Sequence, residues 1–478
     1  MDRRQPQMPL SAATRRTAGR AWRLWRISHV QVMILSFLAL ILLGMGLLML
    51  PAAQQGHVSL LDCLFTAVSA VTLTGLTTVN TAASWSPFGQ AVLLGLMQLG
   101  GIMAIAVGVL FAMVLGLRVA LREHLNISGG HDTVRMRDAF RVVPYIALTV
   151  LAIELVGAVA LAARFMLGHQ MSIGAATWSG LFYAVSAFCN GGFHLLAPEA
   201  RHAPFSLNDP WLLGILAILI ILGGLGFGVL MELALIGRIR RFSLRTKLVL
   251  VTSLALILVG FGLFLLFEWN NAATLGAQHV SWEEKLVTAA FMAVSPRTAG
   301  FSPLDLNVLA PPTLLVLSLL MIIGASPDST GGGVKTTTLT VIILAITALL
   351  RKRADIEVFG RRISGDMVRL ALSLVSIYLF SVLLAIMGIS LTQITLQSLP
   401  PGPETTALYG KLMFEVVSAF GLSGMSTGIT SQLAPFSKAI IMACMFLGRV
   451  GPLIFVYIYA QPKRPQLRRL PAEMVMPG

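Results

Sequence analysis

Five stretches of this chain stay apolar for longer than a soluble fold uses: residues 30–50, 88–117, 211–236, 248–267 and 370–391. A run of about 18 or more apolar residues is long enough to cross a bilayer as one helix. In the hydrocarbon core the backbone must satisfy its own polar groups, which leaves a helical bundle as the solution for runs of this kind. Of the 478 residues, 56% are hydrophobic and 12% charged, whereas a soluble domain carries about a quarter charged residues.

The formal net charge of +15 is a matter of placement rather than of nucleic-acid binding. Basic residues cluster from Arg3 to Arg26, Arg118 to Arg141, Arg238 to Lys247, Arg351 to Arg369 and Lys463 to Arg469. Residues 51–87 contain no Lys or Arg. Excess Lys and Arg marks cytoplasmic loops, so both termini and three basic loops are expected on the cytoplasmic side, beside anionic lipid. Cys63, Cys189 and Cys444 show neither a disulfide framework nor metal-ligand spacing. Residues 1–27 read as a basic tail, since they lack the short apolar core of a signal peptide.

Between the basic loops one order recurs: long apolar helix, shorter semi-polar segment, long apolar helix. The short segments align as Phe65, Ser69 and Gly75; Phe182, Ser186 and Gly192; Phe291, Ser295 and Gly300; Phe414, Ser418 and Gly424. From Phe to Gly the spacing is 10, 10, 9 and 10 residues. A helix of about ten residues reaches only about halfway through a 30 Å hydrocarbon core, so each segment must turn and return as extended chain. Non-helical backbone at that depth is tolerated where it lines a watery cavity. Four such turns about one axis put rings of carbonyl oxygens where they can replace the water shell of a cation, and the helix C-termini aim partial negative charge at it. The expected fold is therefore an all-α membrane protein with four helix–pore-loop–helix repeats: residues 28–118, 119–241, 242–353 and 354–460, flanked by tails 1–27 and 461–478.

Residues 313–350 would make a helix of about 57 Å, nearly twice the hydrocarbon thickness. The Gly/Ser/Thr-rich stretch 324–338 divides them into two half-membrane arms, so this stretch is expected to lie near the midplane as an intramembrane loop. Its Gly331-Gly-Gly-Val-Lys335 is not a phosphate-binding loop, which needs Gly and Lys adjacent. Arg449 is the one arginine within the final apolar run and is read as a barrier facing the pore, against the alternative of snorkelling to the interface. Glu154, Glu232 and Glu415 are expected to be buried and paired.

The four turns resemble the pore loops of the Trk/Ktr/HKT superfamily of potassium transporters. The likeness lies in Thr74-Gly75-Leu76, Asn190-Gly191-Gly192-Phe193, Arg297-Thr298-Ala299-Gly300-Phe301 and Gly421-Leu422-Ser423-Gly424, in the 324–338 loop, and in Gly448-Arg449-Val450-Gly451-Pro452. One helix before the first turn makes the chain most similar to the KtrB-type branch; Cys189 and Asp328 depart from the family's pattern. The resemblance implies an ion-binding filter of Leu73, Thr74, Gly75, Asn190, Gly191, Gly192, Thr298, Ala299, Gly300, Leu422, Ser423 and Gly424. It also implies a gate of Ser329, Thr330, Gly331, Gly332, Gly333, Lys335 and Arg449. It implies potassium as cargo, sodium as a candidate activator, no cofactor, and a plasma-membrane homodimer with a cytoplasmic nucleotide-binding regulatory subunit of KtrA type. In the superfamily, Ser at the first filter position goes with sodium transport. The alternatives are a sodium- or proton-coupled carrier, disfavoured because only one helix reads as broken, and a membrane enzyme, for which no catalytic motif is present.

Overall fold

A computed structural model describes residues 29–114, 136–195, 209–235, 242–278, 280–397 and 403–460. The basic tails, the loop after residue 117 and part of the basic segment from Arg238 lie outside the described residues, so the expected sidedness of the termini is carried by charge alone.

The order long–short–long occurs four times. The first unit is α1 (His29–Leu48), α2 (Leu60–Thr72) and α3 (Pro87–Val114). The second is α4 (Met136–His169), α5 (Ile173–Phe188), α6 (Pro210–Leu225) and α7 (Phe227–Ala234). The third is α8 (Leu244–Glu268), α9 (Trp282–Val294), α10 (Pro311–Ile322) and α11 (Thr336–Leu350). The fourth is α12 (Gly365–Gln397), α13 (Pro403–Gly421) and α14 (Pro435–Ala460). Among the described residues five helices (α1, α3, α4, α8 and α12) are long and apolar enough to cross a membrane unaided, six if the bent pair α6–α7 counts as one. Outward faces carry apolar side chains such as Leu148, Val156, Leu258 and Leu383, each more than half exposed, as a lipid-facing surface requires.

Two expectations need correction. Residues 211–236 do not form one straight span: the run bends by 107° at Gly226, whose φ of 90° suits glycine. The amide of Phe227 leaves the helical ladder and donates to Asp328 O at 2.9 Å. The chain thus has two interrupted helices, and the argument against a carrier from a single break does not hold. The loop between α10 and α11 runs from 323 to 335 rather than 324 to 338, because Thr336–Thr338 already form the first turn of α11. A two-stranded hairpin (β1 Ile356–Val358, β2 Arg361–Ile363) interrupts the otherwise helical fold.

The short helices are fixed by local chemistry. Ser59, Ser172 and Ser281 cap α2, α5 and α9, each accepting an amide of the first turn, and Ser281 and Glu284 form a reciprocal capping box. Their C-terminal halves are buried, with Phe65, Phe182, Phe291 and Phe414 all at most 4% exposed. Each phenyl anchors its short helix so that the following turn meets the other three.

Candidate ion pathway

After each short helix the backbone makes the same excursion. Leu73, Asn190, Thr298 and Leu422 have φ of 61°, 56°, 80° and 54°, and two residues on Gly75, Gly192, Gly300 and Gly424 have φ of 89°, 70°, 78° and 80°. Repeat three, one residue short by sequence, is in register by this point. The missing residue lies between Ser295 and Thr298, where Pro296 cannot continue α9.

The aligned serines hold the turns. The carbonyls of Ser69, Ser186 and Ser418 accept the amides of Thr74, Gly191 and Ser423 at 2.9, 2.6 and 2.9 Å, and that of Ser295 accepts Ala299 and Gly300 at 2.9 and 3.3 Å. The Ser69 hydroxyl accepts the Gly75 amide at 3.0 Å, and that of Ser186 accepts the Phe193 amide at 3.0 Å. The Ser295 hydroxyl donates to Phe301 O. Among the described residues no backbone amide donates to the carbonyls of Thr74, Gly191, Ala299 and Ser423.

The four turns close into a circuit. A methyl added to Gly75 would fall 2.7 Å from Gly191 O, on Gly192 2.9 Å from Ala299 O, and on Gly300 2.6 Å from Ser423 O; on Gly424 it would collide with Thr74 O. Each glycine thus faces the carbonyl before the next repeat's glycine, in chain order, and the fourth returns to the first. The Ser423 hydroxyl adds a bond to Pro296 O at 2.9 Å, tying repeat four to repeat three. All twelve residues assigned to the filter by sequence lie in this buried circuit.

On one side of the circuit lies a cavity of about 380 Å³ lined by Gly75, Gly300 and Gly424 together with Asn80, Asp305 and Ser426. On the other lies the 323–335 loop. Thr330 Oγ1 accepts Asn190 Nδ2 at 2.9 Å and lies 3.2 Å from the carbonyls of Phe188 and Gly223. A methyl on Gly331 or Gly332 would collide with the side chains of Thr298 or Leu422, so the loop presses its bare backbone against two filter residues. Lys335 Nζ donates to Gly331 O at 2.6 Å, and Arg449 Nη1 donates to Thr330 O. Arg449 is 6% exposed; it points into the loop and does not snorkel. Neither cation is in an ion pair among the described residues.

Buried polar atoms without a protein partner gather here: Asn190 Oδ1, Thr298 Oγ1, and Nε and Nη2 of Arg449. Such groups are costly unless water or an ion satisfies them, so the region below the circuit has hydrogen-bonding capacity that water or an ion can take up. Of the carboxylates expected at depth, Glu415 accepts from Ser426, Thr427 and Thr430. Glu232 accepts the Ser243 amide at 3.0 Å, and Glu154 lies 3.4 Å from Cys189 Sγ. Sequence reasoning missed Glu268, which gathers Asn271, Thr274, Ala310 and Thr313. It missed the buried Arg297, held by Ser253 at 3.2 Å, and the pairing of Asp328 with Arg245. The recurrent Ser of each pore segment was the one available signal for the turn-holding contacts.

Comparison with known proteins gives the family and the fold. Residues 26–464 match the family described as TrkH, cation transport protein. The chain is 35% identical over 443 residues to the Ktr system potassium uptake protein B of Bacillus subtilis, covering 93% of this chain and 95% of that protein. It is 33% identical to the potassium/sodium uptake protein NtpJ of Enterococcus hirae, covering 95% and 98%. It is also 32% identical to the Ktr system potassium uptake protein B of Vibrio alginolyticus, covering 94% of each. The fold is similar to the crystal structure of the potassium transporter TrkH from Vibrio parahaemolyticus, with a TM-score of 0.68 at 18% identity over 91% of this chain and 85% of that one. The chain belongs to the TrkH family of cation transport proteins.

Proposed function

We propose that this member of the cation transport family takes up potassium across the plasma membrane through a gated, channel-like pore, as the translocating subunit of a Ktr-type system. The observation that carries the reading is the closed circuit of Gly75, Gly192, Gly300 and Gly424, each facing a carbonyl of the next repeat. Carbonyl rings compensate a dehydrated monovalent cation without the proton chemistry that carboxylate sites bring. The names of the Ktr relatives supply potassium as the cargo; that of the Enterococcus relative keeps sodium in view as a second ion. A homodimer and a cytoplasmic nucleotide-binding regulatory subunit of KtrA type belong to the same reading.

The gate is the loop of residues 323–335 together with Arg449. It obstructs the path with backbone, through Thr330, Gly331 and Gly332, and with charge, through Lys335 and Arg449. A unit charge about 8 Å from potassium at an effective dielectric of 20 repels it by roughly 2 kcal/mol, and about 1.4 kcal/mol is tenfold in rate. The test is potassium uptake per purified, correctly sized molecule. Arg449→Ala, and separately a shortening of residues 329–333, should raise flux about tenfold and weaken its dependence on a regulator; unchanged or lower flux in both variants would remove the gate.

A second class, a carrier coupled to sodium or protons, draws on the two interrupted helices, α6–α7 and α10–α11. Carriers place such breaks in matching halves around a midplane site. Here the breaks fall in adjacent quarters of a fourfold circuit, which favours conduction.

A further inference from the structure

The intramembrane loop has few means of holding its place. It is built of Gly, Ser and Thr, and its backbone bonds to the rest of the protein run mainly to one site, the bend at Gly226. Ser326 N donates to Gly224 O at 3.0 Å, Thr330 N to Gly223 O at 3.3 Å, and Asp328 O accepts from Phe227 N at 2.9 Å. Two charged side chains anchor it. Arg449 holds Thr330, the end against the filter. Arg245, in the first turn of α8, holds the other end: its guanidinium pairs with the Asp328 carboxylate and donates to Pro327 O at 3.1 Å.

Asp328 is confined on three sides. A methyl on Gly108 of α3 would lie 2.9 Å from its Cα, and one on Gly226 would collide with Pro327 O, leaving Arg245 on the third. Asp328 itself has φ of 57°, a left-handed conformation that Asp and Asn tolerate better than other side chains. Its side chain is 7% exposed and that of Arg245 23%, so the pair is shielded from the screening that weakens surface ion pairs. The start of α8 is in turn tied to α7, because Ser243 N donates to Glu232 at 3.0 Å.

We propose that Arg245 and Asp328 form a latch that holds the intramembrane loop in its obstructing position and ties that position to the α7–α8 corner. Both act as positioning residues for the gate. The inference rests on the gate reading of the loop and adds where the loop is controlled from. A movement of the start of α8 would carry Arg245 with it and release the loop at its far end while Arg449 still holds Thr330.

The latch and simple electrostatics predict opposite signs. If Asp328 served only as a counter-charge drawing cations toward the path, Asp328→Asn would lower potassium flux, and a cation at 328 would lower it further. As a latch partner, Asp328→Asn, which keeps the shape and tolerates the same φ, raises flux. Arg245→Gln does the same. The double variant Arg245→Gln with Asp328→Asn, which loses the same single contact, raises flux no further than either change alone.

Potassium flux per purified molecule in proteoliposomes should therefore rise about two- to tenfold in each single variant, the range expected for one coupled pair. The double variant Arg245→Gln with Asp328→Asn should fall within about twofold of the single variants. Unchanged or lower flux in Asp328→Asn, or a double variant whose rise is the product of the two single rises, overturns the latch. A variant shortened at 329–333, measured alongside, separates the failures. If it conducts faster while the pair variants do not, the latch alone is wrong; if it too is unchanged, the gate reading falls and the latch with it.

Discussion

Gly75→Ser tests the filter at a position where the backbone leaves least freedom. Gly75 has φ of 89°, a region that costs a side chain roughly 1–2 kcal/mol. The new Cβ would lie 2.7 Å from Gly191 O and 2.9 Å from Gly192 Cα, whereas a carbon–oxygen contact settles at about 3.3 Å or more. The ring must therefore open by roughly 0.6 Å between repeats one and two to reach that distance. Strain of about 1–2 kcal/mol on a site tuned for potassium corresponds to about a five- to thirtyfold fall in potassium preference over sodium. The assay is the ratio of potassium to sodium uptake in a cell lacking its own potassium uptake. Gly262→Ser is the control, since a Cβ there meets nothing within 4 Å. A normal ratio in Gly75→Ser, at normal protein level, would refute the placement of this carbonyl ring in the ion path.

Two further outcomes concern the repeat topology and the buried Glu415. The three native cysteines are buried, so cysteines introduced at Ala83 and Asp355 can be labelled selectively. Position 83 should react only from outside and position 355 only from the cytoplasm, and labelling of both from one side would break the repeat topology. Glu415 is fully buried and accepts from Ser426, Thr427 and Thr430. Glu415→Ala leaves those donors unpaired and should destabilise the protein by about 2–4 kcal/mol, read as a lower melting temperature in detergent; an unchanged melting point would show that these bonds do not hold the fourth turn.

Periodic features were legible in the chain, and pairings between distant segments were not. Each Phe, Ser and Gly of the four pore segments occupies the same place in its turn, because one local problem, ending a half-membrane helix and returning as extended chain, has one local answer. The register slip in repeat three was legible as a missing residue, but not its resolution at Pro296, which depends on where α9 stops. The bend at Gly226 looked like the middle of an apolar run because the acceptor that draws Phe227 out of the helix, Asp328 O, lies about a hundred residues away. Arg245 read as one more basic residue in a cytoplasmic cluster, since nothing near it in sequence points to Asp328. The hairpin at 356–363 turns on Phe359 and Gly360, both at positive φ, with strands of three residues each, too short to show an alternating pattern.

The central claim is conduction through the four-carbonyl circuit, and its most direct measurement is ion flux through the purified protein in proteoliposomes under an imposed potassium gradient alone. The account predicts potassium movement down its own gradient, carrying current, with no requirement for a sodium or proton gradient, and faster than sodium under the same driving force. Potassium movement that stops without a counter-moving or co-moving ion, at a fixed stoichiometry, would contradict it and establish a carrier.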